Sequence, residues 1–418
     1  MSPRRVLAAH VAAAALAFLA AGAAHADPAL ERARRLLERS ILFDGHNDLP
    51  WAIHDHKAAP GDVAAYDIRG RAPDEGQTDI PRLRAGRVSA QFWSVYIPPE
   101  AGRGFARMQL EQIDVARRLI ARYPDTFQLA GTAAEIRAAK RAGRIGSMLG
   151  IEGGHAIEDS LGVLRTYYDL GVRYMTLTHN VHTNWADAAL HVPAKHRGLS
   201  PFGEQVVREM NRLGMLVDLS HTAPDTMHDA LRVSQAPVIF SHSAARALCE
   251  IPRNVPDDVL AKLPANGGVV MVTFVSGFIS QAAADVTLPA MQQYLLRASG
   301  KSEAERDAIY KEIFDAVEIP PVTVAAVADH IEHVRKVASV DNIGIGSDFD
   351  GNSDWPEGLS DVSTFPNLFA ELIRRGWSDR DLEKLAGGNV LRALEQAEGV
   401  ARRLQRETTP STARLGVN

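Results

Sequence analysis

His46 and Asp48 stand two residues apart where a hydrophobic run ends, and the same pattern returns along the chain. Glu152-Gly153-Gly154-His155, Leu177-Thr178-His179-Asn180, Asp218-Leu219-Ser220-His221, Ser241-His242-Ser243 and Ser347-Asp348-Phe349-Asp350-Gly351 each close an apolar, strand-like stretch. Imidazole and carboxylate are the donors that borderline and hard divalent cations take. In extended backbone, side chains two residues apart leave on the same side, so His46 and Asp48 can serve one ion. Glu152 at a strand end costs several kcal/mol to bury unless positive charge opposes it, and the glycines behind it let backbone pass close to the site. A lone buried histidine is usually a satisfied core residue. His46, His221 and His242 at equivalent ends of separate runs point instead to ligation. An arbitrary Asp-Gly stretch would make Asp348 a loop cap; its strand-end place in this series makes it a further candidate for the site. The chemistry expected is cation binding and activation of water.

Such side chains need elements that end in one place. Strands are predicted at Ile41–His46, Val88–Val95, Ile145–Glu152, Val172–His179, Met215–Ser220, Val238–His242, Gly268–Phe274 and Ile343–Asp348. Most are continuous apolar runs, as parallel strands covered on both faces require. Helical patterns lie between them at Arg107–Tyr123, Thr132–Ala142, Ser160–Leu170, Gly203–Leu213, Asp225–Val233 and Val322–Val337, with more helix at Asp379–Gln396. Strand–helix alternation of this length suits an α/β fold, either a (β/α)8 TIM barrel or an open doubly wound sheet. The barrel is the expectation, because a closed ring brings every strand end to one mouth. No Gly-x-Gly-x-x-Gly follows a strand. Residues 50–87 and 275–321 interrupt the alternation, the second with two helical pieces. Insertions at a barrel mouth shape a pocket or a subunit contact, so a homodimer is among the expectations. Residues 404–418 read as a frayed tail.

The 418 residues are 46% hydrophobic and 23% charged with a formal charge of -5, ordinary globular composition without the basic surplus that nucleic acid requires. Arg4 and Arg5, the apolar run Val6–Ala21 and Ala24-His25-Ala26 form a signal-peptide pattern over 1–26. The run is short for a membrane span, so export, cleavage and no stable membrane anchor are expected, which in a bacterium means the periplasm. Cys249 is the one cysteine, so no intrachain disulfide forms; it reads as a small buried filler.

Further segments carry a resemblance. Thr78-Asp79-Ile80-Pro81-Arg82-Leu83, Gln91-Phe92-Trp93-Ser94-Val95-Tyr96, Ile151-Glu152-Gly153-Gly154-His155, Gly198-Leu199-Ser200-Pro201-Phe202-Gly203, Phe240-Ser241-His242-Ser243-Ala244-Ala245-Arg246, Pro252-Arg253-Asn254-Val255-Pro256, Gly346-Ser347-Asp348-Phe349-Asp350-Gly351 and Gly387-Gly388-Asn389 resemble, in this order, the membrane (renal) dipeptidase family of zinc metallopeptidases. The likeness covers roughly residues 40–398. It implies a (β/α)8 metallohydrolase of the amidohydrolase-like superfamily, with two zinc ions per chain and small dipeptides as substrates. By position, His46 and Asp48 would bind one ion, His221 and His242 the other, and Glu152 would bridge them. His179 would polarise the scissile carbonyl, Arg253 would take the substrate's terminal carboxylate, Asn254 would also bind substrate, and Asp348 would pass protons between water and the leaving amine. Two cations a few Å apart bring a shared water's pKa towards neutrality, and an arginine fork matches a carboxylate. His182, His191 and His196 are expected as solvated loop residues. An N-acyl amino acid or lactone hydrolase of the same superfamily is the alternative; a carboxylate anchor at Arg253 favours peptides over neutral lactones. A non-catalytic binding protein on the same barrel is the third reading, and the full ligand set speaks against it.

Overall fold

A computed structural model describes residues 27–416. The signal-peptide expectation for 1–26 lies outside the described residues. Nine strands run β1 Leu42–Asn47, β2 Val88–Ser94, β3 Phe127–Leu129, β4 Ile145–Ile151, β5 Val172–Thr176, β6 Leu216–Asp218, β7 Val238–Ser243, β8 Val269–Val272 and β9 Ile343–Ile345. All pair in parallel, and β2 closes against β4 from Ala90↔Gly146 to Ser94↔Gly150. The ring is β1-β2-β4-β5-β6-β7-β8-β9, with β9 returning to β1 at Asp44↔Ile345. It is the expected (β/α)8 barrel. The extra strand β3 lies beside the lower half of β4, through Phe127↔Ile145 to Leu129↔Ser147.

The continuous apolar runs have a physical reason: alternate residues of one strand face two different apolar layers. Phe92, Met148, Ile239, Val269 and Met271 belong to one buried cluster, with Phe43 and Tyr174. Their neighbours Trp93, Leu149, Phe240, Val270 and Val272 belong to another, shared with the surrounding helices. The first cluster fills the barrel and is closed by Val390, Leu391, Ala393 and Leu394. These stand on the last helix, Asn389–Glu407. Close approach inside the ring demands small residues. A Cβ on Gly346 would strike the Ser241 carbonyl, and one on Gly150 the ring of Tyr174.

Helix starts follow local chemistry. Ser200, before Pro201 at the first helical position, caps Pro201–Leu213 by accepting from Gly203 N. Thr132 does the same for Ala133–Arg141 through Glu135 N. The interruption at 275–321 carries the helices Gln281–Ala298 and Glu303–Phe314, as its two helical pieces suggested. The expected frayed tail differs: helix continues to Glu407, and beyond it Ser411 N donates to Glu209 Oε2 at 3.2 Å while Arg165 Nη1 donates to Ser411 O at 3.1 Å. Several predicted strands also stop early. β5 ends at Thr176, β6 at Asp218 and β9 at Ile345, so His179, His221 and Asp348 stand on the turns beyond.

Candidate active site

Six strand ends bring their side chains to one point. His46 belongs to β1 and His242 to β7, while Asp48 opens the helix Leu49–His54 and Glu152 directly follows β4. His221 and Asp348 are held at φ of 64° and 71°. That left-handed turn is strained for residues other than glycine, and it swings each side chain back over the mouth.

Glu152 Oε1 is the common neighbour. It lies 2.9 Å from His221 Nε2, 3.2 Å from His242 Nε2, 3.7 Å from His46 Nε2 and 3.8 Å from His179 Nε2. His46 Nε2 also lies 3.2 Å from Asp48 Oδ2 and 3.8 Å from Asp348 Oδ1. Three overlapping donor groups result: His46 with Asp48 and Glu152, Glu152 with His221 and His242, and His46 with His242 and Asp348, each within 4.8 Å. All these residues are buried.

The set fits divalent cations. Asp48, Glu152 and Asp348 crowd three carboxyls together out of water. Burial drives the Glu152 carboxyl well above the usual range, against the pull of His46. Burial, opposed by His46 and abetted by Asp48, raises Asp348 to about 7. Burial disfavours the charged His46 ring, yet Asp48 and Glu152 outweigh it and hold it protonated to about 10. Burial, with Arg253 and the neighbouring imidazoles, keeps His179, His221 and His242 neutral. Neutral imidazoles and clustered carboxylates are what a cation takes as ligands. Two donor atoms, His46 Nε2 and Asp48 Oδ1, are buried without a hydrogen-bond partner.

The far nitrogens of His46, His221 and His242 are each tied to a partner to which the sequence reading gave no role. Tyr174 Oη lies 2.9 Å from His46 Nδ1, and Asn180 Oδ1 lies 2.9 Å from His221 Nδ1. Ser241 Oγ lies 2.8 Å from His242 Nδ1 and donates to Asp218 Oδ2 at 2.6 Å, which also takes Thr176 Oγ1 at 2.5 Å. Such partners fix the ring and tautomer of a metal-binding histidine. Asn180, Asp218 and Ser241 stood in the clusters read from the sequence, whereas Tyr174 gave no signal there. Backbone must also come close: a Cβ on Gly351 would collide with Asp48 Oδ2.

Arg253 is 1% exposed. Its Nη1 donates to Ser243 Oγ at 2.9 Å and its Nη2 to the His242 carbonyl at 3.1 Å, while Nε is buried without a partner. Burial lowers its pKa to about 10, leaving it charged at neutral pH. Two expectations are corrected. Asn254, read as substrate-binding, gives both amide protons to the carbonyls of Cys249 and Phe278 and accepts from Ala244 N, so it shapes the loop that carries Arg253. His182 and His196 are not free in solvent. His182 Nδ1 accepts from Ala188 N, its Nε2 reaches the Pro193 carbonyl, and its ring stacks on His191 at 4.3 Å; His196 Nε2 reaches the Thr183 carbonyl. These contacts close the loop after β5, away from ligation.

The chain matches the model of the membrane dipeptidase family, peptidase family M19, over residues 30–408. It is 41% identical over 380 residues to Dipeptidase 3 of Mus musculus, covering 90% of this chain and 68% of that one. Among solved structures, the probable dipeptidase PvdM from Pseudomonas aeruginosa superposes with a TM-score of 0.76 at 25% identity, over 89% of this chain and 99% of that one. A metallo peptidase from Rhodobacter sphaeroides, liganded with a phosphinate mimic of the dipeptide L-Ala-D-Ala, shares the fold at a TM-score of 0.69 and 23% identity, over 86% and 99%. With that match spanning almost the whole described chain, and with the cluster at the barrel mouth, the protein belongs to the membrane dipeptidase family and is a metallo-dipeptidase.

Proposed function

We propose that the protein hydrolyses dipeptides bearing a free C-terminal carboxylate, and that His46, Asp48, Glu152, His221 and His242 would hold two zinc ions. The observation that carries this reading is the convergence of four imidazoles on the single atom Glu152 Oε1. When bound, the ions supply Lewis-acid activation of water and of the scissile carbonyl. The chain's own residues do the rest. Neutral His179 donates to the carbonyl oxygen as negative charge grows there, a contribution of about 3 kcal/mol in comparable sites. Asp348 accepts the proton that the attacking water releases as its oxygen bonds the carbonyl carbon. It then returns that proton to the amine nitrogen as the C–N bond breaks. Arg253, with Nε free, pairs with the terminal carboxylate and sets the scissile bond one residue from the end. The phosphinate dipeptide mimic bound by the Rhodobacter sphaeroides relative supports the substrate class.

The N-terminal pattern of 1–26 supports export, in a bacterium to the periplasm, with cleavage before Asp27. A homodimer is proposed on the inserted helices alone.

A dipeptide and its C-terminal amide should separate the readings. Loss of a buried charge pair lowers kcat/KM for the amide by about 2–5 kcal/mol in transition-state binding. Equal rates on acid and amide would remove Arg253 from its role. Elemental analysis of active protein purified in trace zinc should return two ions per chain; one ion in fully active protein would overturn the paired arrangement.

A further inference from the structure

At the opposite end of the barrel a groove of about 390 Å³ opens between the beginnings of β2 and β4. Arg84, Arg87, Lys140 and Arg144 line it with one acid, Glu38. β4 runs from Ile145 beside the groove to Ile151, with Glu152 next in the chain, so the groove lies roughly 20 Å from the metal cluster.

Three observations set it apart from solvated surface. The whole chain carries -5, yet this groove gathers four cations against one carboxylate. Among the described residues none of the four lies within 4.0 Å of a carboxylate, whereas arginines elsewhere on the surface, such as Arg32, Arg137, Arg232 and Arg375, do form such pairs. The groups are also held in place. Arg87 takes a left-handed φ of 64°, and its Nε is buried without a partner. Lys140 Nζ donates to buried Ser89 Oγ at 2.9 Å, and Arg84 Nη2 donates to Thr126 Oγ1 at 3.2 Å.

Like charges held together and left unpaired are costly unless an anion joins them. A monoanion leaves most of that excess. A phosphate group carries two charges near neutral pH and offers several acceptors to guanidinium forks and an ammonium. We infer that this groove is an anion site for the phosphate group of a small soluble molecule, held by Arg84, Arg87, Lys140 and Arg144.

The test is isothermal titration of inorganic phosphate into the metal-loaded full chain, with chloride holding ionic strength constant. Wild type is compared with the double variant Lys140→Gln/Arg144→Gln. Phosphate bound at the metal cluster is common to both proteins and cancels. Wild type should show an additional binding event, weakened at least about tenfold in the variant, with dipeptide turnover equal in the two. Identical isotherms would overturn the site. Arg87→Asn keeps a residue that tolerates left-handed backbone and should weaken the same event. If that event survives both substitutions, the assignment fails. A parallel sedimentation with phosphatidylglycerol and phosphatidylcholine vesicles separates the sources. Binding to the anionic vesicles alone, with no uptake of inorganic phosphate, would refute the soluble ligand.

Discussion

Asp348 shows how one residue is prepared for its proposed role. It stands past the end of β9 at φ 71°, with its Oδ1 3.8 Å from His46 Nε2. Burial, against the pull of His46 and with the push of Asp48, holds its carboxyl near neutrality, at about 7. A general base and acid works best when its pKa lies near the working pH. Bound cations would favour its ionised form and strengthen it as proton acceptor. Asp348→Asn keeps the shape and removes the basicity. It should leave metal content unchanged and lower kcat by about 10²–10⁴-fold, read by elemental analysis beside steady-state kinetics. Near-normal turnover with the metals in place would reduce Asp348 to a structural residue. Glu152 is the harsher test of metal binding: Glu152→Gln should lower the content of both proposed ions, whereas His46→Ala should mainly lower one.

At the scale of elements, the barrel strands do more than end in the right place. β5 places Tyr174 across the ring, where its hydroxyl meets His46 Nδ1 at 2.9 Å. β4 makes the room by carrying Gly150, since any Cβ there would enter the tyrosine ring. β6 contributes Asp218, which reaches His242 through Ser241. Ligand orientation on one strand therefore depends on side chains of its neighbours. Tyr174→Phe removes one hydroxyl and keeps the packing. It should weaken metal affinity about 10–100-fold, measured by competition with a chromophoric chelator, while the unfolding midpoint of the metal-free protein moves little. Unchanged affinity would mean that packing alone orients His46.

At the scale of the whole molecule, long-range staples join the barrel to its insertions, and some are sensitive to pH. His330 lies in the helix Val324–Val337. Its Nδ1 accepts from Ala245 N in the loop that leads to Arg253, and its Nε2 meets the Ile279 carbonyl at the start of the insertion. Burial lowers its pKa from 6.5 to about 4. The unfolded chain therefore binds a proton that the folded one refuses between those values. Stability from this residue is complete above about pH 6.5 and drains as pH falls towards 4, by at most about 3 kcal/mol. Urea midpoints measured from pH 7 down to 4 should fall more steeply for wild type than for His330→Gln. Parallel slopes would show that His330 does not sense pH.

The sequence by itself determined the barrel and most of its mouth. Continuous apolar runs mark strands covered on both faces, and eight of them, six closed by polar, metal-competent residues, favour a closed ring. His46, Asp48, Glu152, His179, His221, His242 and Asp348 were legible because residue type and strand-end position repeat together. β3 was not, since three residues carry no period, and neither was the first helix among the described residues, Pro28–Arg39, so near the expected cleavage point. Tertiary structure alone decided which side chains orient the cluster. Tyr174 and His46 are 128 positions apart, and no local pattern relates them. It also decided the role of Asn254, whose amide is consumed by three backbone groups that only the folded loop brings together. Local sequence encodes what a residue can bond; ring closure chooses which partner is within reach.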